Sequence, residues 1–312
     1  MRKELVSVLA LLGSSAVRPI VVEVLRSGVV EAIHRVHAVA VNDQAVVASA
    51  GDPSLVSYLR SSAKPLQALP LVRARRDLED GEIAIACASH LARSEQLELV
   101  RSLLAKAPAS EDDLECGPEP TRLEHNCSGK HAGMLALCRA EEWETAGYRL
   151  PTHPCQHAML REVARAAEVR EESMPTAVDG CGVVTFALPL ERMAEAFASL
   201  ARLEGGQRVA GAMREHPEII RGPGAADTML MELLPGWIAK GGAEGLLCAA
   251  SEDGLGIALK VEDGAGRAVR SALASFLAGL GLDAGELGEV AVRNSRGEVV
   301  GELRCRTKSI SD

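Results

Sequence analysis

The run EHNCSGKHAGM, residues 124–134, sets a thiol, a hydroxyl, an ammonium and an imidazole within five positions, Cys127 to His131. On a helix, Cys127, Lys130 and His131 stand at i, i+3 and i+4 and share one face. A second thiol, Cys181 in VDGCG (178–182), is flanked by two glycines that let the backbone turn sharply. Zinc takes Cys and His ligands in a tetrahedron. Spacing alone therefore proposes Cys127, His131 and Cys181 as ligands, with Lys130 a nearby charge; two buried structural cysteines are the alternative. A phosphate-binding loop is excluded. Glu124 stands where such a loop needs glycine, and His131 where it needs Ser or Thr.

Ser61-Ser62-Ala63-Lys64 is a second constellation. Ser61 and Lys64, three apart, would share a helical face with about 5–6 Å between Cβ atoms. A serine hydroxyl is a poor nucleophile until a base takes its proton. A lysine can be that base when burial, which lowers its pKa by about 3–5 units, keeps it neutral. The S-x-x-K spacing recurs in penicillin-binding proteins and β-lactamases, which add a later lysine on a strand, followed by a small residue and Gly. LGIALKVEDG (255–264) offers Lys260 on a predicted late strand, although K-V-E departs from K-T-G. The plain alternatives are a helix N-cap serine with a solvated lysine, and an edge-strand lysine that discourages aggregation.

CASH, Cys87 to His90, closes EIAIACA (82–88), which reads as a buried strand. Ser89 and His90 are a candidate nucleophile and base, but neighbours on a strand point to opposite faces, so a direct dyad is not expected. His34 and His37 read as packing or surface residues. His153 and His216 precede prolines and read as fixed turns. GPGAADT (222–228) reads as a glycine loop before a helix.

These groups must be positioned by the elements around them. IHRVHAVAV (33–41) and QAVVASA (44–50) read as a hairpin turning at Asn42-Asp43. SSAKPLQALPLVRA reads as a helix with Pro65 in its first turn, and SEQLELVRSLLAKA (94–107) as an amphipathic helix capped by Ser94. From about 128 to 234 the pattern is mainly helical: 128–140, 157–167, 190–203, 207–215 and 227–234. Strands return at 245–250, 255–262, 289–294 and 298–305, with a helix at 267–280 between them. The expected fold is α+β, an α/β sandwich. In it, N- and C-terminal segments form one mixed sheet and a helical region is inserted.

The 312 residues are 47% apolar but only 2% aromatic, so Leu, Val and Ala must fill the core. A net charge of -9 argues against a general nucleic-acid role. No apolar run reaches the roughly 18 residues of a membrane span. The eight scattered cysteines do not read as a disulfide scaffold, which suits a reducing cytoplasm. MRKELVSVLALLGSSAVRP begins like a signal peptide, but Glu4 interrupts it and Leu5 to Leu12 is short. An extension with no targeting role is expected.

Taken together, the segments resemble the rhizobial-type (class 3, thermolabile) L-asparaginases of the L-asparaginase II family. The resemblance is carried by RSSAKPLQALP (60–70), CASH, HNCSGKHAGML (125–135), THPCQ (152–156), DGCGVVTFALPL (179–190), DTMLME (227–232) and GIALKVEDG (256–264). It leaves residues 1–21 as an extension and 22–312 as a single catalytic domain. It implies a fold similar to serine β-lactamases and glutaminases, hydrolysis of L-asparagine to L-aspartate and ammonia, and a cytoplasmic homodimer. Two Ser–Lys pairs are implied, Ser61 with Lys64 and Ser89 with Lys260. So is zinc beside the pocket on Cys127, Lys130 and Cys181, with Lys130 replacing His131. Arg60 and Asp179 would hold the substrate's charged ends. The chain departs from the family pattern at Gln96, where His is frequent, at Val184, where Pro is usual, and at Ala225-Ala226, where an Arg is frequent. Two other functions stand beside this one: a different serine-reactive amidohydrolase (glutaminase or β-lactamase-like), and a non-enzymatic zinc or thiol protein.

Overall fold

A computed structural model describes residues 18–118 and 120–306; the signal-like run at 1–17 lies outside them. The chain opens with β1 (Ile20–Arg26), β2 (Val29–Asn42) and β3 (Ala45–Ala50). β1 starts at Ile20, so the last two residues of the expected extension already belong to the sheet. The β2–β3 hairpin turns at Asp43 and Gln44, both at positive φ, because Asn42 still pairs with Ala45. The turn is thus one residue later than predicted, at the two left-handed positions a tight hairpin demands.

After β4 (Val56–Tyr58), a 3-10 turn at Arg60–Ala63 runs into the short helices α1 (Lys64–Gln67) and α2 (Leu69–Ala74). The next segment corrects the sequence: 80–87 is a helix, α3 (Asp80–Cys87), and not a strand. A short apolar run has no period that separates a buried strand from a buried helix. Here the surroundings decide, since α3 is enclosed by other helices. Glu79 and Glu82 form a capping box at its start. The enclosing helices are α4 (Ser94–Lys106) and α5 (Ser128–Ala140), with two that follow later in the chain. Ser94 is the first residue of α4 and not its cap. The Gln96 side chain accepts from Arg93 N–H instead.

The middle holds α6 (Pro154–Ala167), two strands the sequence did not suggest, β5 (Thr176–Val178) and β6 (Val184–Pro189), and then α7 (Leu190–Ser199). β4, β6 and β5 form a small sheet. Three helices follow: α8 (Gly206–Glu215), α9 (Pro217–Ile220) and α10 (Ala226–Leu233), of which α8 and α9 complete the enclosure of α3. The chain returns to the main sheet through β7 (Trp237–Gly242), β8 (Leu246–Ser251) and β9 (Gly256–Val261). It ends with α11 (Val269–Gly279), β10 (Val290–Arg293) and β11 (Val299–Cys305).

Among the described residues the main sheet has eight strands, in the order β10-β11-β1-β2-β9-β8-β7, with β3 also on β2. The two chain ends close it, as expected for the α+β class, but every pair is antiparallel rather than mixed. Register shows that both faces are covered. Cys305 pairs with Val22 and Val22 with His34, and Cys305 Sγ donates to Ser271 O on α11. Gly256 pairs with Val41, an odd step along β2 from His34, and so faces the other way. A Cβ on Gly256 would sit 2.1 Å from Ala194 O, so α7 lies directly on that face. The buried residues form one continuous core from sheet to helices.

Candidate active site

The Ser61 turn is held from both sides. Arg60 occupies the left-handed region at φ 50°, a strained conformation for a residue with a Cβ. Its N–H donates to Thr185 Oγ1 at 3.1 Å and its Nε to Asp179 Oδ1 at 2.6 Å, both groups near β6. Ser62 Oγ donates to Lys240 O on β7 at 2.8 Å. Between these anchors Ser61 is half-buried, and Lys64 N–H donates to Ser61 O, one turn on.

Lys64 is sealed from solvent. Its Nζ donates to Ala88 O and, at 3.0 Å, to Ser89 Oγ. Burial, reinforced by the Lys130 charge and opposed by Cys127, holds the Lys64 amine below the ordinary lysine range. The S-x-x-K turn and the CASH segment therefore meet at Lys64.

Ser89 is fixed by its neighbours on two sides. Ser89 N–H donates to Ile220 O at 2.8 Å, and His90 N–H to Asn126 O at 3.1 Å. His90 Nδ1 accepts from Ala92 N–H, so Nε2 carries the proton and donates to Ser128 Oγ at 2.8 Å. Burial lowers His90 to about 4, which keeps it neutral. A Ser89–His90 dyad does not form, as expected. Gln96 is fully enclosed, accepting from Leu91 and Arg93 N–H groups and donating to Ile219 and Arg221 carbonyls. It ties the Ser89 loop to the 217–221 segment.

Cys127 and Lys130, at the start of α5, meet Cys181. Lys130 Nζ donates to Cys181 Sγ at 3.0 Å, and the two thiols are within hydrogen-bonding reach of each other. The Cys181 hydrogen bond pulls Cys127 well below the ordinary thiol range, and Lys64 and Lys130 add to this against the effect of burial. Burial alone would lower Lys130, but Cys181, Cys127 and Asp179 outweigh it and hold the ammonium above its usual range. His131 turns away: its Nδ1 accepts from Tyr148 Oη at 2.7 Å, while its Nε2 is buried without a protein partner. Among the described residues no three His, Cys, Asp or Glu side chains gather as a metal site. The cluster here is two thiols and an amine.

Lys260 is not brought to this cleft. It lies on β9, its Nζ donates to Val261 O, and the charges beside it are Glu244 and Asp263. The lysine that reaches the cleft is Lys240 on β7, two strands away. Its side chain is fully buried and feels the charges of Lys64 and Cys127. Lys240-Gly241-Gly242 is a strand lysine followed by a small residue and Gly, the signal sought at Lys260, which has Val and Glu in those places. A Cβ on Gly242 would come 2.9 Å from Leu59 O and 3.0 Å from Ser62 Oγ, so glycine lets β7 dock on the Ser61 turn.

A family model described as L-asparaginase II matches residues 22–305. No curated protein matches the chain. Among solved structures, the octameric penicillin-binding protein homologue from Pyrococcus abyssi is similar at 10% identity and a TM-score of 0.36, over 80% of this chain and 74% of that one. Among the described residues no helix is long and apolar enough to cross a membrane. With a family match over most of its length, and the Ser61, Ser89, Cys127 and Cys181 segments brought together, the chain belongs to the L-asparaginase II family, as a hydrolase that cleaves an amide.

Proposed function

We propose that the enzyme hydrolyses L-asparagine to L-aspartate and ammonia by acyl transfer through Ser61. The observation that carries this is the sealed Lys64 amine bonded to Ser89 Oγ one turn from Ser61. A neutral amine has two N–H groups and one lone pair. Ala88 O and Ser89 Oγ take the N–H groups, and the lone pair is left for the Ser61 proton. As Ser61 Oγ bonds to the side-chain amide carbon, its proton passes to Lys64. The proton continues through Ser89 Oγ to the amide nitrogen, which leaves as ammonia when the C–N bond breaks. Water then attacks the Ser61 ester, gives a proton to Lys64, and the Ser61 oxygen recovers it as aspartate departs. Lys240, in place of Lys260, is the cation that disfavours the proton's stay on Lys64 and drives it toward the leaving group. Asp179 and Arg60 offer a carboxylate and a guanidinium to the ammonium and carboxylate of an amino acid.

Cys127, Lys130 and Cys181 fit a zinc ion. The fit is one of donor chemistry, two thiols and an amine: Lys130 Nζ and Cys181 Sγ, 3.0 Å apart as a hydrogen bond, would have to part to about 3.6 Å to share the ion. Bound there, zinc would supply a fixed positive charge beside the pocket, and Lys130 would have to give up its proton to serve as a ligand. A cytoplasmic homodimer is part of the same reading, tested by light scattering. Ammonia release from purified protein with L-asparagine, beside L-glutamine and nitrocefin, tests the whole. Release from L-asparagine is expected to dominate; none from it would overturn the assignment.

A further inference from the structure

Lys240 enters the cleft from a strand whose next two residues are glycines, and one carboxylate holds both the lysine and the strand. Asp227, in the first turn of α10, has Oδ2 3.5 Å from Lys240 Nζ and accepts Gly241 N–H at 2.9 Å. Its Oδ1 accepts Thr228 N–H at 3.1 Å. The pair is closed to solvent, with side chains 0% and 2% exposed. Gly241 eases this approach, because a Cβ there would stand 3.2 Å from Asp227 Oδ2 and press on it. Lys240 Nζ also donates to Gly241 O at 2.7 Å. The ammonium, the following amide and the carboxylate thus form a closed ring.

We propose that Asp227 is a positioning residue, which anchors the Lys240 ammonium and the Gly241 amide so that Lys240 stands in the cleft as a cation. The inference rests on the function proposed above, and Asp227 acts through Lys240. The groups that bear on Lys240 come from several elements: Asp227 on α10, Lys64 on α1, Cys127 before α5 and Arg221 after α9. Burial lowers Lys240 to about 8, Asp227 opposes that fall, and Lys64, whenever it carries a proton, and the Arg221 cation reinforce it. Asp227 is therefore the counter-charge that keeps the lysine protonated near neutral pH. Loss of an adjacent opposite charge moves a buried group by about 1–3 units, which would carry Lys240 down to about 7 or lower.

The test is a pH–rate profile of L-asparagine hydrolysis for wild type, Asp227→Asn and Asp227→Glu. A [15N]lysine NMR titration of Lys240, assigned by its loss in Lys240→Arg, accompanies it. Asparagine keeps an acceptor for Gly241 N–H but no charge. In Asp227→Asn the alkaline limb of kcat and the Lys240 midpoint are both expected to move down by about 1–3 units, with KM little changed. In Asp227→Glu, which keeps the charge, both should stay near wild type even if kcat falls. An equal loss of kcat at every pH, with an unmoved Lys240 midpoint, would reduce Asp227 to a structural role. If the wild type turns over no L-asparagine, the functional reading fails, and the NMR midpoint still decides the role of Asp227.

Discussion

Lys64 Nζ lies 3.0 Å from Ser89 Oγ, joining two segments 25 residues apart in a pocket closed to water. With Lys64 held below its ordinary range by burial, it is the group best placed to accept a proton. Lys64→Met keeps the volume and removes the base. We expect kcat to fall by about 10²–10⁴-fold with an unchanged circular dichroism spectrum. A loss below tenfold would move the base elsewhere.

The two serines are separable. Ser61→Ala is expected to abolish measurable turnover, a loss of about 10³-fold or more. Ser89→Ala, which removes only the relay, is expected to lose about 10²-fold. Trapping of an acyl-enzyme on Ser61 by mass spectrometry checks the order. An adduct on Ser89 instead would exchange the roles.

Two lysines three strand-lengths of sequence apart give opposite expectations. Lys240→Met should lower kcat by about 10²–10⁴-fold. Lys260→Ala, which removes a half-exposed amine beside Glu244 and Asp263, should leave turnover within about twofold. Equal losses in the two variants would contradict the cleft described here.

Metal content distinguishes the two nitrogen candidates beside the thiols. Cys127→Ser and Cys181→Ser should bring zinc from about one per chain to near zero by elemental mass spectrometry. Lys130→Ala should lower it strongly. His131→Gln should leave it unchanged, because His131 faces Tyr148. Loss of zinc in the His131 variant alone would reinstate the imidazole as ligand.

Stability should fall below neutral pH through His90. Burial lowers the folded-state value to about 4, against about 6.5 for a free histidine. Between those values the unfolded chain binds a proton that the folded chain refuses. His90's contribution is therefore full above about 6.5 and is lost as pH falls toward 4, at most about 3 kcal/mol. Urea unfolding at pH 7 and pH 5 should show a larger drop for wild type than for His90→Gln. Identical drops would mean His90 is protonated in the folded state.

Much of the site was legible from local spacing. Ser61 and Lys64, or Cys127 and Lys130, are one helical turn apart, so their shared face follows from the backbone period alone. The helix Ser128–Ala140 was predicted to the residue for the same reason. The α3 segment was not, since an apolar run of seven carries no period and only the enclosing helices make it helical.

By itself the sequence determined the α+β class, the family and the chemistry of the groups: hydroxyls, amines and thiols in fixed local order. Tertiary structure decided which distant lysine joins them. Lys240 and Lys260 both lie on strands of one sheet, and strand pairing two positions across is a non-local choice. It was settled where Gly241 and Gly242 let one strand approach Asp227 and the Ser61 turn. The same packing turned His131 toward Tyr148 and left Lys130 to face Cys181. Adjacent residues on a helix point about 100° apart, and only the neighbours determine which of them meets the thiol.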